Sequence, residues 1–287
     1  KKIVLVKMNL EKIKQIENIF KNFRINEVYN LASQSYVDRS FKEPLKTSNI
    51  NAIGVLRILE VIRKKNYRIK YYQASSSEMF GNSKSMIQSE STKFDPQSPY
   101  AISKLYAHFI TKNYRNSYKL FAVSGILFNH ESPLRDKNFI TSKIIKGLID
   151  IKNKKKKKIL LGNINVKRDW GYSKEYVIQM WKMMQAKKPK DYIIATGKTH
   201  SIKELINIVT RELGMKTKWT GKGTNLKLIN ITDNTTIISI DRKLFRPSDI
   251  ISTKGDISKA KKDLGWKPKT SFRKLIKILI KEYSKNI

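Results

Sequence analysis

The amino-acid sequence predicts an α/β protein built on a parallel sheet. Three observations carry this. Short apolar runs at residues 3–6, 27–32, 69–74 and 121–128 have the length and the β-branched or aromatic content of strands. The stretches between them place apolar residues at helical spacing. Strand and helix alternate, and strands joined by helices of this length form βαβ units with parallel neighbours.

Taken in order, Ile3-Val4-Leu5-Val6 reads as the first strand. Residues 10–23 read as a helix, with Ile13, Ile16, Ile19, Phe20 and Phe23 on its apolar side. Residues 27–32 are the next strand. After a loop, residues 44–63 read as a helix whose apolar face includes Ile50, Ile53, Val55, Leu56, Leu59 and Ile62. Residues 69–74 return to strand. A further helix opens with Ser98 as N-cap and Pro99 at the first helical position, where its missing N–H costs nothing. Residues 121–128 form another strand.

The pattern then loosens. A helix at 141–150, a strand at 159–162, a helix at 174–185 and a strand at 192–196 ended by Gly197 follow one another. A helix at 201–213, a lysine- and threonine-rich connection, a β-prone stretch at 235–240 and a final helix from 271 complete the chain. No internal repeat is visible, and no linker is long enough to separate independent halves.

The chain has 287 residues, of which 40% are hydrophobic and 10% aromatic, enough for a sizeable core and outside the range of disordered chains. It has no cysteine, so neither a disulfide framework nor a cysteine-based zinc site is expected. The histidines are His108, His130 and His200, with no pair at metal-ligand spacing, and no metal is expected. No apolar run approaches the roughly 20 residues that span a bilayer. The apolar stretch at the start is too short for a signal-peptide core. A soluble cytoplasmic protein without a membrane partner is expected.

The formal net charge is +37. The excess is mostly lysine, spread along the chain, and the densest run is Lys154 to Lys158. That run lies between a helix pattern and a strand pattern and reads as a solvated turn, with a polyanion site as the alternative. No nucleic-acid partner is expected. The field of such a chain would draw anionic substrates toward it.

Two clusters carry chemistry. Tyr100 and Lys104 are four apart at the start of a helix, which places them on one face. A nearby ammonium stabilises a phenolate and suits the tyrosine to accept a proton from an alcohol. The same spacing also arises by chance in a lysine-rich chain. Gln73-Ala-Ser-Ser-Ser-Glu78 runs on from the strand at 69–74, and ligands of open parallel sheets bind beyond the carboxyl ends of strands. Ser76 and Glu78 would face such a ligand. Alone, this segment reads more readily as a turn with a surface charge.

Together these residues resemble the extended short-chain dehydrogenase/reductases, and most closely the GDP-mannose 4,6-dehydratase family. The resemblance runs nearly end to end. It rests on Glu27-Val-Tyr-Asn-Leu-Ala-Ser-Gln-Ser35, Tyr72-Gln-Ala-Ser-Ser-Ser-Glu78, Ser98-Pro-Tyr-Ala-Ile-Ser-Lys104, Gly125-Ile-Leu-Phe-Asn-His-Glu-Ser-Pro133, Arg168-Asp-Trp-Gly171 and Phe245-Arg-Pro247. Leu264-Gly-Trp-Lys-Pro268 is similar to the wider nucleotide-sugar family.

The resemblance implies a Rossmann-type doubly wound parallel sheet with a smaller C-terminal substrate domain. Residues 1–130 with 164–197 would bind NADP, and 131–163 with 198–287 would bind the nucleotide sugar. It implies conversion of GDP-mannose to GDP-4-keto-6-deoxymannose. Tyr100 would take the 4-hydroxyl proton, Lys104 would hold the nicotinamide ribose, and Ser76, where the family usually has threonine, would bond the 4-oxygen. Glu78 would remove the C5 proton and assist loss of water. Leu31, Ala32, Ser33, Gln34 and Ser35 would form a cofactor-contacting loop, with His130 and Arg135 near the cofactor. Asn129, Arg168, Arg246 and Asp249 would contact the substrate, the arginines gripping its diphosphate. His130 also fits a satisfied part-buried histidine, and either arginine an ordinary ion pair. A homo-oligomer, a dimer or tetramer, is implied.

One part of the family pattern is missing. The twelve glycines include no Gly-x-x-Gly-x-x-Gly, and Gly221-Lys-Gly223 lies in the C-terminal part. Such glycines let backbone amides approach a pyrophosphate. By its remaining motifs the chain starts near the family's third strand, with Asn9-Leu10 where Asp-Leu is usual. An N-terminally incomplete copy is therefore expected. It would lack the first βα units, leave the strand at 3–6 without its neighbour, hold NADP poorly and be unable to turn over alone. Two other readings stay open: another nucleotide-sugar dehydratase or epimerase, and a non-catalytic polyanion-binding protein on an inherited scaffold. Glu78 favours dehydration, because a plain epimerase has no use for an acid/base that eliminates water.

Overall fold

The computed structural model describes residues 3–65 and 68–285. Along the chain the elements are α1 (Ile13–Asn22), β1 (Glu27–Asn30), α2 (Val37–Lys42), α3 (Pro44–Ser48), α4 (Gly54–Lys65), β2 (Lys70–Ser76), α5 (Pro99–Ser117), β3 (Ala122–Leu127), β4 (Asn129–Glu131), α6 (Ile140–Lys152) and β5 (Ile159–Leu161). They continue with β6 (Lys167–Arg168), β7 (Trp170–Tyr172), α7 (Ser173–Gln185), β8 (Tyr192–Ile194), β9 (His200–Ser201), α8 (Ile202–Glu212), β10 (Thr217–Thr220), β11 (Lys227–Asn230), β12 (Thr235–Ile240), α9 (Ser258–Leu264) and α10 (Phe272–Ser284).

The chain forms two compact units. The first comprises Lys1–Leu127, Ile178–Ile194 and Asp256–Trp266. The second comprises Phe128–Val177, Ala195–Gly255 and Lys267–Ile287.

The first unit holds the parallel sheet, in the order β1-β2-β3-β8. Its register pairs Asn30 with Gln73, Ser76 with Leu127 and Leu127 with Ile194. Strands β2 and β3 are buried along nearly their whole length because both faces are covered, while β1 at the edge is partly exposed. On one side Ile16 of α1, Leu59 and Ile62 of α4, and Ala107 and Tyr114 of α5 form a core with Tyr71 and Ala122. Lys70 Nζ bonds Met184 O of α7 at 2.7 Å.

Three local expectations are corrected here. Ile3–Val6 is not a strand: it makes no ladder, and Ile3 and Leu5 are 87% and 92% exposed. An apolar run adopts strand geometry stably only with a partner to pair with, and none adjoins this one among the described residues. Val4 and Val6 instead line a shallow apolar hollow with Ile19, Phe23 and Ile25. The single helix read at 44–63 is α3, a π-helical turn at Asn49–Ile53, and α4. The extra residue in that turn directs Asn51 inward, where it is fully bonded. The sequence pattern does not signal the short helix α9, whose seven residues bury only Ala260 and Leu264.

The second unit is built around a sheet in the order β10-β11-β12-β5, with β5 parallel to β12. Ile145 and Leu148 of α6, Leu205 of α8 and Leu275 of α10 pack on Ile159 and Ile238. Strand β4 pairs with β7, and β6 with β9. The lysine- and threonine-rich connection is in fact the hairpin β10–β11, whose charged residues occupy its exposed face while Leu228 is buried.

Candidate active site

Helix α5 starts where the sequence signals it. The Ser98 hydroxyl accepts from Ala101 N at 3.1 Å, and Pro99 fills the first turn. The first turns carry Tyr100 and Lys104. Lys104 is 4% exposed, and its Nζ donates to Ala74 O at 2.9 Å. That nitrogen lies 5.9 Å from the centroid of the Tyr100 ring. Burial favours the neutral amine and lowers the Lys104 pKa to about 8.

Ala74 lies two residues before Ser76, at the carboxyl end of β2. The Ser76 hydroxyl accepts from Glu78 N at 3.2 Å and caps the 3-10 turn Ser77–Phe80. Ser76 is buried, while Glu78 is part-exposed. Gly81 ends the turn at φ 52°, and a Cβ there would stand 1.6 Å from Asp95 O. Only glycine fits, both for the left-handed backbone and for that approach. Helix α5 packs against both β2 and this turn. Tyr100, Lys104, Ser76 and Glu78 thus sit on adjoining elements of one unit.

The loop 31–35 follows β1 at the same end of the sheet. Leu31 is exposed, but Ser33 and Gln34 are tied inward. Asn51 Oδ1 accepts from Gln34 N at 2.8 Å and from Ser33 Oγ at 3.0 Å. Its Nδ2 donates to Gln34 O at 3.0 Å and to Ser103 Oγ at 3.2 Å. Gln34 Nε2 in turn donates to Thr47 Oγ1 at 3.1 Å. Asn51 therefore clamps the loop to α5 between Tyr100 and Lys104. Asn51 carries no motif; its signal in the sequence is a polar residue beside Ile50 in an otherwise apolar helix face.

The remaining sequence-derived site residues lie in the second unit. Asn129 and His130 are on β4, opposite Trp170 and Gly171 of β7. His130 stacks on Tyr176 at 5.1 Å, and its Nδ1 donates to Phe128 O at 2.8 Å. Burial pushes its pKa down to about 4, leaving a neutral ring. A Cβ on Gly171 would stand 2.4 Å from the Tyr176 ring, so the glycine of Arg168-Asp-Trp-Gly171 admits that ring. Arg135 lies 3.4 Å from the buried Glu131 and 3.6 Å above the Phe139 ring.

Arg168 is buried, and its Nη1 donates to Lys167 O at 2.9 Å and Ile250 O at 2.8 Å. It is thereby joined to the segment that carries part-exposed Arg246 and Asp249. Its neighbour Asp169, unassigned from sequence, is fully buried. It accepts from Thr196 N and Oγ1 at 2.7 and 2.6 Å and from Gly197 N at 2.8 Å. Among the described residues no cluster of three His, Asp or Glu side chains is placed to hold a metal ion, and no helix is long and apolar enough to cross a membrane.

Comparison with known proteins decides the family. The family model described as GDP-mannose 4,6 dehydratase matches residues 1–279. The chain belongs to the GDP-mannose 4,6-dehydratase family. It is 47% identical over 261 residues to GDP-mannose 4,6 dehydratase 1 of Arabidopsis thaliana, covering 90% of this chain and 67% of that one. It is 42% identical over 267 residues to GDP-mannose 4,6-dehydratase of Vibrio cholerae, covering 89% and 72%. The structure of RMD from Pseudomonas aeruginosa, complexed with NADPH, superposes with a TM-score of 0.81 at 18% identity, covering 98% of this chain and 88% of that one. That likeness shows the Rossmann-type fold.

Proposed function

We propose that the protein converts GDP-mannose to GDP-4-keto-6-deoxymannose in the cytoplasm, with NADP as cofactor. Family membership supports the reaction. The observation that carries it is the Lys104–Ala74 bond, which ties the helix of Tyr100 to the strand leading into Ser76 and Glu78.

Tyr100 accepts the proton of the sugar 4-hydroxyl, and the Lys104 ammonium, still protonated at neutral pH, favours the resulting phenolate. Ser76 donates to the 4-oxygen. Once a 4-keto group acidifies the C5 proton, Glu78 removes it and assists departure of the 6-hydroxyl as water. A bound NADP would supply the hydride acceptor for oxidation at C4 and the hydride donor for reduction at C6, with no net change of the cofactor. Tyr100 and Lys104 fit the nicotinamide-ribose end of that cofactor, and the clamped loop 31–35 fits its side of the sheet. The sequence holds no Gly-x-x-Gly-x-x-Gly, and no residue is assigned to the pyrophosphate. His130 and Arg135 are assigned to the cofactor, and Asn129, Arg168, Arg246 and Asp249 to the GDP-sugar.

The protein is proposed to act as a homo-oligomer. Ile102, Tyr106 and Phe109 form an exposed apolar stripe on α5, spaced as one helix face. Ile102→Glu is expected to shift sedimentation toward the monomer.

The reaction is tested with the family's glycine-rich segment joined ahead of residue 1, the form used for every turnover measurement, by incubating that protein with GDP-mannose and NADP and following the nucleotide sugar by NMR and mass spectrometry. The expected product is lighter by one water and carries a 4-keto group. A product epimerised at C4 with no loss of mass would replace the dehydratase reading with an epimerase.

A further inference from the structure

Between the helix and the strand of the site is a buried histidine that the reaction does not use. His108 lies one helical turn beyond Lys104 on α5 and is 4% exposed. Its Nδ1 is 3.2 Å from the hydroxyl of Ser75, which is 3% exposed. Ser75 directly follows Ala74, whose carbonyl accepts from Lys104. Two neighbouring residues of β2 are therefore tied to two residues four apart on α5.

The ring is held from its other sides too. Nε2 lies 4.0 Å from Asp191 Oδ2. Asp191 is itself fixed by Arg115, which donates to its two oxygens at 2.8 and 2.7 Å, and by Ser124 N at 3.1 Å. Phe94 and Phe109 meet the imidazole edge-on at 5.5 and 5.6 Å. Burial lowers the His108 pKa; Arg115 and Lys112 lower it further, against the opposing pull of Asp191. A neutral ring with Nε2–H toward Asp191 leaves Nδ1 to accept the Ser75 hydroxyl.

We propose that His108 is a positioning residue for the dehydratase reaction, an inference that rests on the function proposed above. By holding Ser75 it fixes the end of β2, with Ser76 and the Glu78 turn, against the helix of Tyr100 and Lys104. One bond, Lys104 to Ala74, is a pivot about which the strand end can swing; a second beside it sets the angle. Misplacement of reacting groups by about 1 Å can cost about 100-fold in rate.

Three substitutions test this. His108→Leu removes the nitrogen and keeps the bulk, His108→Asn returns an amide where Nδ1 stands, and Ser75→Ala removes the other partner. In His108→Leu, kcat is expected to fall about 10- to 100-fold with KM for GDP-mannose nearly unchanged. His108→Asn recovers most of that loss. The double variant Ser75→Ala/His108→Leu is no worse than His108→Leu alone, because both remove one bond.

Amide hydrogen exchange gives a reading independent of turnover. The amides of Glu78 and Gly81 are expected to exchange about tenfold faster in His108→Leu and in Ser75→Ala, while those of β12 do not change. Full kcat in His108→Leu, additive losses in the double variant, or unchanged exchange at Glu78 and Gly81 would each overturn the assignment. Failure of the unsubstituted protein, carrying the glycine-rich segment, to dehydrate GDP-mannose would instead sink the functional reading, and exchange alone would then decide whether His108 holds the turn.

Discussion

Lys104 donates a 2.9 Å hydrogen bond from Nζ to the carbonyl oxygen of Ala74, two residues before Ser76. The bond takes a charged group out of water and gives it a backbone dipole as partner, with the Tyr100 ring 5.9 Å away. The chemistry draws on that same charge to support the Tyr100 phenolate. Placement and desolvation therefore come from one contact, and they pull the lysine in opposite directions.

The desolvation has a measurable sign. Lys104 titrates near 8 in the folded protein, against 10.5 when solvated. Between those values the unfolded chain binds the extra proton, so this group makes folding more favourable as pH rises through the window. Below it the full cost of the buried charge remains. Against Lys104→Met, the protein is expected to gain about 3 kcal/mol of stability across the window. Urea unfolding of both proteins at about pH 7.5, 9 and 10 reads the difference. A constant difference would show that Lys104 stays solvated.

Gly81 links backbone geometry to the site. Gly81→Ala would drive a Cβ to 1.6 Å from Asp95 O, so the turn that carries Glu78 must move. Stability is expected to fall by about 2–4 kcal/mol and kcat by about 100-fold or more. Gly214 is the control: its φ is 70° and nothing lies within 4 Å of an added Cβ. Gly214→Ala should cost only the left-handed backbone strain of about 1–2 kcal/mol, with kcat unchanged.

Much of this arrangement is legible in the sequence where the determinants are local. Ser98-Pro99 fixes the start of α5, and four-residue spacing puts Tyr100 and Lys104 on one face. Tyr71, Tyr72, Val123, Ile126 and Leu127 announce β2 and β3, whereas the burial of Gln73, Ser75 and Ser124 among them follows from cover on both faces. Other features depend on contacts that no local pattern reports. Ile3–Val6 has strand propensity, but a strand exists only by pairing. The β10–β11 hairpin has one exposed, lysine-bearing face and so lacks the apolar run of a buried strand. The π-helical turn forms where Asn51 reaches Ser33, Gln34 and Ser103, residues far apart along the chain. His108 and Ser75 meet in the same way.

Asp169 shows why the Arg168-Asp-Trp-Gly171 motif needs its carboxylate. Burial raises the pKa of the group, while hydrogen bonds from Thr196 and from the Gly197 and Gly255 amides oppose that shift. Asp169→Asn would turn an amide donor toward those N–H groups and leave at least one buried donor unpaired. A loss of about 2–4 kcal/mol is expected, measured as a lower urea midpoint with an unchanged slope. A near-neutral result would mean that the loop 195–198 is held by its own turn and not by Asp169.

Glu78 and Tyr100 act at different steps, and single-turnover experiments separate them. Glu78→Gln keeps the size of the side chain and some of its hydrogen bonding but cannot take the C5 proton. Dehydration is expected to fall about 100- to 10,000-fold while GDP-mannose binding stays near normal. Tyr100→Phe removes the group that accepts the 4-hydroxyl proton, so turnover stops earlier, at oxidation. With the glycine-rich segment restored and mixed rapidly with GDP-mannose and NADP, the Glu78 variant should still show transient absorbance of reduced cofactor, and the Tyr100 variant none. Near-normal product formation by Glu78→Gln would remove the dehydration step from this carboxylate. Tyr100 and Lys104 would then support only the simpler oxidation and reduction of an epimerase.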